Sequence, residues 1–203
     1  MNKYTVKIID NESEIDGVPK AHLTVYPWKL PGDYRPKTFA QAAIVKGKGF
    51  LVKMTCYEKN PKAVITEFYS TVCFDSCMEC FFMMGEGGKY VNLEMNSAGV
   101  SHIGLGEGRH GRVPVTDFIH AFPPIRNTKD SEKWTAAALF TFDELEALFG
   151  VKEEELVKGY SFRANFYKCG DKTEFEHYGM WSKVDWPTPD FHRPEFFGEM
   201  VIE

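Results

Sequence analysis

The chain has 203 residues, a length that predicts one domain spanning residues 1–203. Lysine and arginine number 24 against 29 aspartates and glutamates, and a net charge of −5 made of scattered charges argues against a nucleic-acid-binding protein. Hydrophobic residues make up 43% of the chain, which excludes disorder, and no apolar run approaches the ~20 residues of a membrane span.

In chain order the predicted elements are mostly strands, because apolar and polar residues alternate between turn signals. The runs are Tyr4 to Ile9, His22 to Trp28, Phe39 to Val45, Phe50 to Tyr57, Phe74 to Met84, Tyr90 to Asn96, Trp134 to Phe142, Tyr160 to Lys168 and Phe197 to Ile202. Between them, the glycine- and proline-rich segment 101–127 predicts a long surface loop, of the kind that often carries function.

A single short helix is predicted after Thr141. Thr141 and Glu144 form a capping-box pattern, and Gly150 follows the last apolar residue at helical spacing. The fold class expected from all these elements is all-β: an antiparallel β-sandwich, jelly-roll-like, with one short helix and long loops.

The cysteines number five, an odd count that argues against a disulfide framework. We expect a reducing compartment. Because no signal peptide is recognisable, the expected location is cytoplasmic.

The hairpin around Gly85 to Gly88 is the most informative segment. If these glycines form the turn, Phe82 pairs with Val91, and Glu79 lies directly opposite Glu94. Two facing carboxylates repel, so this face requires a cation, a shared proton, a ligand that donates hydrogen bonds, or free access to solvent.

Flat and forked polar groups accompany the two glutamates. Asn92 and Asn96 are predicted on the same face, and Arg163 and Asn165 on the polar face of the strand 160–168. Such groups suit the vicinal hydroxyls of a mono- or oligosaccharide, and Trp181, beside a proline-rich segment, is predicted to stack on a sugar ring.

The residues are also compatible with two alternative functions. Glu79 and Glu94 could be the acid and nucleophile of a small glycoside hydrolase, or serve a related lyase. A haem held by His177 with Met83 or Met180 is a further alternative. The aromatic residues Phe191, Phe196 and Phe197 are predicted either in the core or at a homodimer contact.

Three motifs resemble the family 9 carbohydrate-binding modules and their stand-alone relatives: DSCMECFF (75–82), FRANFYKCGD (162–171) and WSKVDWPTPDFHRPEFFGEMVIE (181–203). The resemblance implies a β-sandwich that binds sugars without catalysis, calcium as a structural ion, and association with glycoside hydrolases in polysaccharide catabolism.

Residue by residue, the resemblance implies sugar contacts for Glu79, Asn96 and Trp181, and a ligand-facing or structural role for Arg163 and Asn165. Cys73 stands where typical members carry an aromatic ring.

Overall fold

The computed structural model describes residues 1–203 and is mostly β. One α-helix, α1 (Phe142–Phe149), and five short 3-10 helices accompany thirteen strands. The strands are β1 (Lys3–Ile9), β2 (Ala21–His22), β3 (Thr38–Val45), β4 (Gly49–Cys56), β5 (Cys77–Met83), β6 (Tyr90–Asn96), β7 (Ser101–Gly106), β8 (Val113–Pro114), β9 (Arg126–Lys129), β10 (Trp134–Thr141), β11 (Ser161–Cys169), β12 (Tyr178–Met180) and β13 (Gly198–Ile202).

The strands form one continuous path, in the order β8-β7-β6-β5-β11-β13-β1-β3-β4-β10-β9. Strand β1 lies in the middle and is parallel to both neighbours: its residues 3–6 pair with β13 and its residues 7–9 with β3. The expected all-β class is confirmed. The expectation of a purely antiparallel sheet is wrong at β1, which makes the sheet mixed and continuous.

The two halves of this curled sheet pack on one hydrophobic core. Phe82 of β5 contacts Phe50 of β4 and Phe140 of β10, with ring centroids 5.3 and 5.0 Å apart. Tight packing of these rings holds the two halves of the sheet together. No helix of the chain is long and apolar enough to span a membrane.

The β5–β6 hairpin has the predicted register. Phe82 pairs with Val91 and Glu79 with Glu94. The apolar face that this register predicts lies in the main core, whose members there are Met78, Cys80, Phe82, Val91, Leu93 and Met95.

Helix α1 is capped as predicted. The Thr141 side chain accepts a hydrogen bond from the backbone N–H of Glu144, and Gly150 ends the helix at φ 71°, a left-handed conformation that favours glycine.

Two sequence-based expectations about elements need correction. Only the first residue of the run His22 to Trp28 lies in a strand, at the end of the two-residue strand β2. Segment 101–127 contains β7, β8 and the first residues of β9 rather than one long loop. Strand β7 was missed because Gly104 and Gly106 weaken its alternation. A Cβ at Gly104 would lie 2.9 Å from Asn92 Oδ1, and one at Gly106 would lie 3.1 Å from the Arg112 side chain.

A second hydrophobic cluster covers the outer face of β5, β6 and β11. It contains Phe81, Tyr90 and Tyr167 from the strands, together with Phe191 and Phe197 from the C-terminal segment. Phe191 and Phe197 therefore belong to the packed interior, and Phe196 packs against the same cluster. The face predicted to be open and polar is largely buried beneath this segment.

Candidate functional site

A cavity of about 170 Å³ lies over the outer face of β5, β6 and β11, within the second hydrophobic cluster. Its floor comes from strands, and its walls come from the loop after β7, the residues that follow β11 and the segment after β12. The lining residues are Cys73, Glu79, Phe81, Glu94, Arg109, Cys169, Asp171, Tyr178, Pro189, Asp190, Phe191 and His192.

Glu79 and Glu94 form the acidic centre of this cavity. They are opposite each other on β5 and β6, and both are buried. Burial, followed by the nearby Glu94 carboxylate, raises the pKa of Glu79 well above its usual range, and burial also raises the pKa of Glu94. These carboxyl groups are held in an environment that disfavours two negative charges.

Asp171 adds a third carboxyl group, directly after β11. Its backbone N–H donates to the carbonyl of Cys73 at 3.0 Å, which fixes this corner of the cavity. Burial raises the pKa of Asp171, and the carboxylate of Glu176 adds to the effect. Three acidic groups with raised pKa values thus converge on one small space.

Asp190, a further carboxyl group in the lining, forms ion pairs with two arginines. Arg109 Nη1 lies 3.0 Å from Asp190 Oδ1, and Arg193 Nε lies 2.8 Å from Asp190 Oδ2. The backbone N–H of His192 also donates to Asp190 Oδ1, at 3.1 Å. These contacts tie the wall of the cavity to the loop that follows β7.

The imidazole of His192 is neutral at ordinary pH. Its Nδ1 lies 2.8 Å from the Tyr90 hydroxyl, and burial together with Arg112 and Arg109 lowers its pKa to about 3. Because Nδ1 is engaged by Tyr90, the neutral imidazole has only Nε2 left for the cavity and brings no positive charge to it.

Aromatic rings border the cavity on one side. Phe191 stacks on Tyr167 at a centroid distance of 4.1 Å, and Tyr178 meets Phe191 edge to face at 5.9 Å. Tyr178 is half-buried, whereas Phe81 and Phe191 are buried. Tyr178 is therefore the lining ring with the most surface to offer a ligand.

Asn92 supports Glu94 from beside it. The Asn92 amide donates to Glu94 Oε1 at 2.8 Å, and the guanidinium of Arg112 donates to Asn92 Oδ1 at 2.7 Å. Arg112 also binds the carbonyls of Tyr90 and Gly104. Asn92 does not line the cavity, and its hydrogen bond holds the Glu94 carboxyl group in position.

Trp181 offers little surface for the sugar stacking that the sequence predicts, because its ring lies in the main core. Its side chain is only 7% exposed and belongs to the main core, where it packs on Tyr4 and Phe166 with centroid distances of 6.3 and 5.7 Å. Gly198 makes room for the indole, because a Cβ there would lie 2.4 Å from it.

Three further predicted site residues lie away from the cavity and have structural partners. The Asn96 side chain donates to the carbonyl of Ile65 and accepts from the backbone N–H of Val100. The Asn165 side chain donates to the carbonyl of Ser182 and accepts from the backbone N–H of the same residue. Arg163 donates to the carbonyls of Glu195 and Phe197. The structure therefore does not bring these residues to the cavity, and covering segments occupy their polar groups.

Both ring nitrogens of His177, the histidine predicted to bind haem, already have hydrogen-bond partners. His177 Nδ1 donates to the carbonyl of Phe175 at 2.6 Å, and its Nε2 accepts from Lys168 Nζ at 2.8 Å. With both ring nitrogens engaged, His177 has no lone pair free for iron. The predicted pairing with Met83 or Met180 is wrong.

Sequence reasoning missed several lining residues: Arg109, Asp171, Tyr178, Asp190, Phe191 and His192. Signals for five of them existed. Asp171, Asp190, Phe191 and His192 lie inside the motifs that carry the family resemblance, and Arg109 lies in the segment 101–127 that was expected to carry function.

Comparison with known proteins decides the family. The model of carbohydrate-binding family 9 matches residues 9–202. The chain belongs to carbohydrate-binding family 9. This assignment confirms the resemblance that the three motifs suggested.

Similar solved structures share the fold of this family 9 chain. A candidate carbohydrate-binding protein from Bacteroides uniformis ATCC 8492 is 24% identical, with a TM-score of 0.81 and 99% of each chain covered. A family 9 module from Caldicellulosiruptor kristjanssonii, in complex with cellotriose, is 8% identical, with a TM-score of 0.64 over 100% of this chain and 94% of that one.

The same module in complex with glucose gives 9% identity and a TM-score of 0.66, over 100% of this chain and 96% of that one. No curated protein matches the sequence.

Proposed function

We propose that this chain binds carbohydrate non-covalently and that the cavity around Glu79 and Glu94 holds the sugar. The main support for this proposal is that three carboxyl groups with raised pKa values converge on one small polar cavity. They belong to Glu79, Glu94 and Asp171. Sugar hydroxyl groups supply the hydrogen-bond donors that buried carboxylates need.

The size of the cavity limits how much of a glycan enters it. A volume of about 170 Å³ lies below the roughly 300–1,000 Å³ of sites for drug-sized ligands. One sugar residue therefore occupies the cavity, and the rest of an oligosaccharide lies outside. The proposed ligand is a monosaccharide or the end of a glycan chain.

Family membership and the sugar complexes of the Caldicellulosiruptor module support the same class of ligand. Tyr178 takes the stacking role in this proposal, since it is the half-buried ring at the wall. Arg109 and His192 supply donors beside the carboxylates.

The test is calorimetric titration of the chain with glucose, xylose, cellotriose and a wider sugar panel, with and without calcium. Glu79→Gln and Glu94→Gln should each weaken binding by about 10- to 100-fold, because a buried polar group left without its hydrogen-bond partner costs about 1–3 kcal/mol. Glu86→Gln is the matched control, since Glu86 is exposed in the turn of the same hairpin.

Affinity unchanged in both variants, or no binding by the wild type, would refute this proposal. Release of reducing sugar during the titration, abolished in Glu79→Gln, would instead establish the glycoside hydrolase alternative.

A further inference from the structure

Three metal-ligating side chains lie together at one side of the cavity: Glu79 and Cys169, which line it, and Cys77, which lies beside them and does not. Their ligand atoms all lie within 4.8 Å of one another, and Cys169 Sγ is 2.9 Å from Glu79 Oε1. Among His, Cys, Asp and Glu side chains, this is the one such group in the structure.

Strand geometry fixes this arrangement. Cys77 and Cys169 are direct partners across β5 and β11, and Glu79 lies two residues beyond Cys77, hence on the same face. All three side chains are buried. The group is therefore built into paired strands, where its side chains have little freedom to separate.

The surroundings of the group are rich in negative charge. Glu94 and Asp171 line the same cavity. The buried cation of β11, Lys168, is already bound by Glu58, by His177 and by the carbonyl of Cys169. A bound cation would relieve the repulsion between Glu79 and Glu94.

We propose that Cys77, Cys169 and Glu79 bind a thiophilic divalent cation of the Zn²⁺ type, with a fourth coordination position open toward the cavity. Two thiolates and one carboxylate suit zinc, whereas calcium requires six to eight oxygen ligands. This site goes beyond the proposed sugar binding and shares Glu79 and Cys169 with the lining of the cavity.

The distances fit this ion after a small adjustment. Zn–S bonds of about 2.3 Å place two sulfurs of a tetrahedron about 3.8 Å apart. Because the ligand atoms are within 4.8 Å of each other, the side chains need to move by about 1 Å or less. Glu79 and Cys169 line the cavity, which gives the ion an entry path.

Proton balance gives the site a measurable signature. Burial raises the pKa of Cys77 to about 12, and the pKa values of Cys169 and Glu79 are also raised. Coordination forms two metal–sulfur bonds and one metal–oxygen bond and releases the protons of the two thiols to solvent.

The test uses the reduced, metal-free chain titrated with Co²⁺. We expect one Co²⁺ per chain, a near-ultraviolet band from thiolate-to-cobalt charge transfer, intense visible bands of tetrahedral cobalt, and displacement by Zn²⁺. Cys77→Ser and Cys169→Ser should each lower Co²⁺ affinity by at least about 100-fold, since even indirect partners of a metal are worth 10- to 100-fold.

Cys80→Ser is the control, because Cys80 is on the same strand but faces the main core. Circular dichroism checks that each variant folds, and Cys77→Ala provides a second variant if serine is not tolerated. Absence of the charge-transfer band in the wild type, or its persistence in folded Cys77→Ser, would overturn the proposal. A thiol count showing a Cys77–Cys169 disulfide despite reductant would also overturn it.

The metal site and the sugar site can fail separately. Cys77 does not line the cavity, so Cys77→Ser should keep the sugar affinity measured for the metal-free wild type. Loss of metal binding with retained sugar binding is the expected outcome for this variant.

Discussion

Replacing Trp181 with alanine tests whether its indole is a core group or a ligand platform. The ring is 7% exposed and packs on Tyr4 and Phe166. Truncation of a buried tryptophan leaves a cavity and costs about 3–5 kcal/mol of the free energy of unfolding. For a chain of this size, each kcal/mol shifts the Tm by about 2–4 °C, so Trp181→Ala should lower the Tm by about 6–20 °C.

Urea denaturation, followed by circular dichroism, measures this loss, and Trp181→Phe serves as the matched control because it keeps an aromatic ring in the core. Trp181→Phe should lose clearly less stability than Trp181→Ala. Tyr178→Ala should show the opposite pattern, with weaker sugar binding and a smaller change in stability. If Trp181→Ala keeps wild-type stability but no longer binds sugar, the indole is a ligand platform and the core assignment is refuted.

Three further predictions concern packing, buried charge and pH. Gly198→Ala should lower the free energy of unfolding by about 1–3 kcal/mol in urea denaturation, because its Cβ would lie 2.4 Å from the indole of Trp181. Lys168→Met should cost about 3–5 kcal/mol in the same assay by leaving Glu58 buried and unpaired, and adding Glu58→Gln should recover part of that loss. The pKa of His192 is lowered to about 3 and that of His177 to about 4, so each of these histidines binds more protons in the unfolded chain below pH ~6.5, and the stability that it contributes should fall from there toward pH 4. In urea denaturation across this range, the free energy of unfolding of His192→Gln should change relative to the wild type by about 1–3 kcal/mol in the stabilising direction as the pH falls; an identical pH dependence in the two proteins would contradict the assignment.

Local signals determined the parts of the fold that were predicted well. The glycine-rich turn and the strict alternation on both sides of it fix the β5–β6 register, because a shift by one residue would turn Met78 and Phe82 out of the core. The capping residues of α1 likewise act within a few residues of each other. The parallel pairing of β1 with two strands distant in sequence has no such local signature.

Local sequence signals also explain why only part of the candidate site was predicted. Alternation places Glu79 and Glu94 together correctly, but it does not show what covers that face of the sheet. The segment after β12 brings Phe191 and His192 over the strands. Asn96 and Asn165 then serve backbone groups, because burial forces polar side chains to find partners within the protein.

The central claim is that sugar binds in the cavity of Glu79 and Glu94, and mapping of amide chemical shifts tests it most directly. Spectra of the ¹⁵N-labelled chain would be recorded during titration with the sugar that calorimetry ranks first. We predict saturable shifts concentrated at Glu79, Glu94, Asp171 and Phe191. Shifts confined to residues outside the cavity, or none at saturating sugar, would contradict the account.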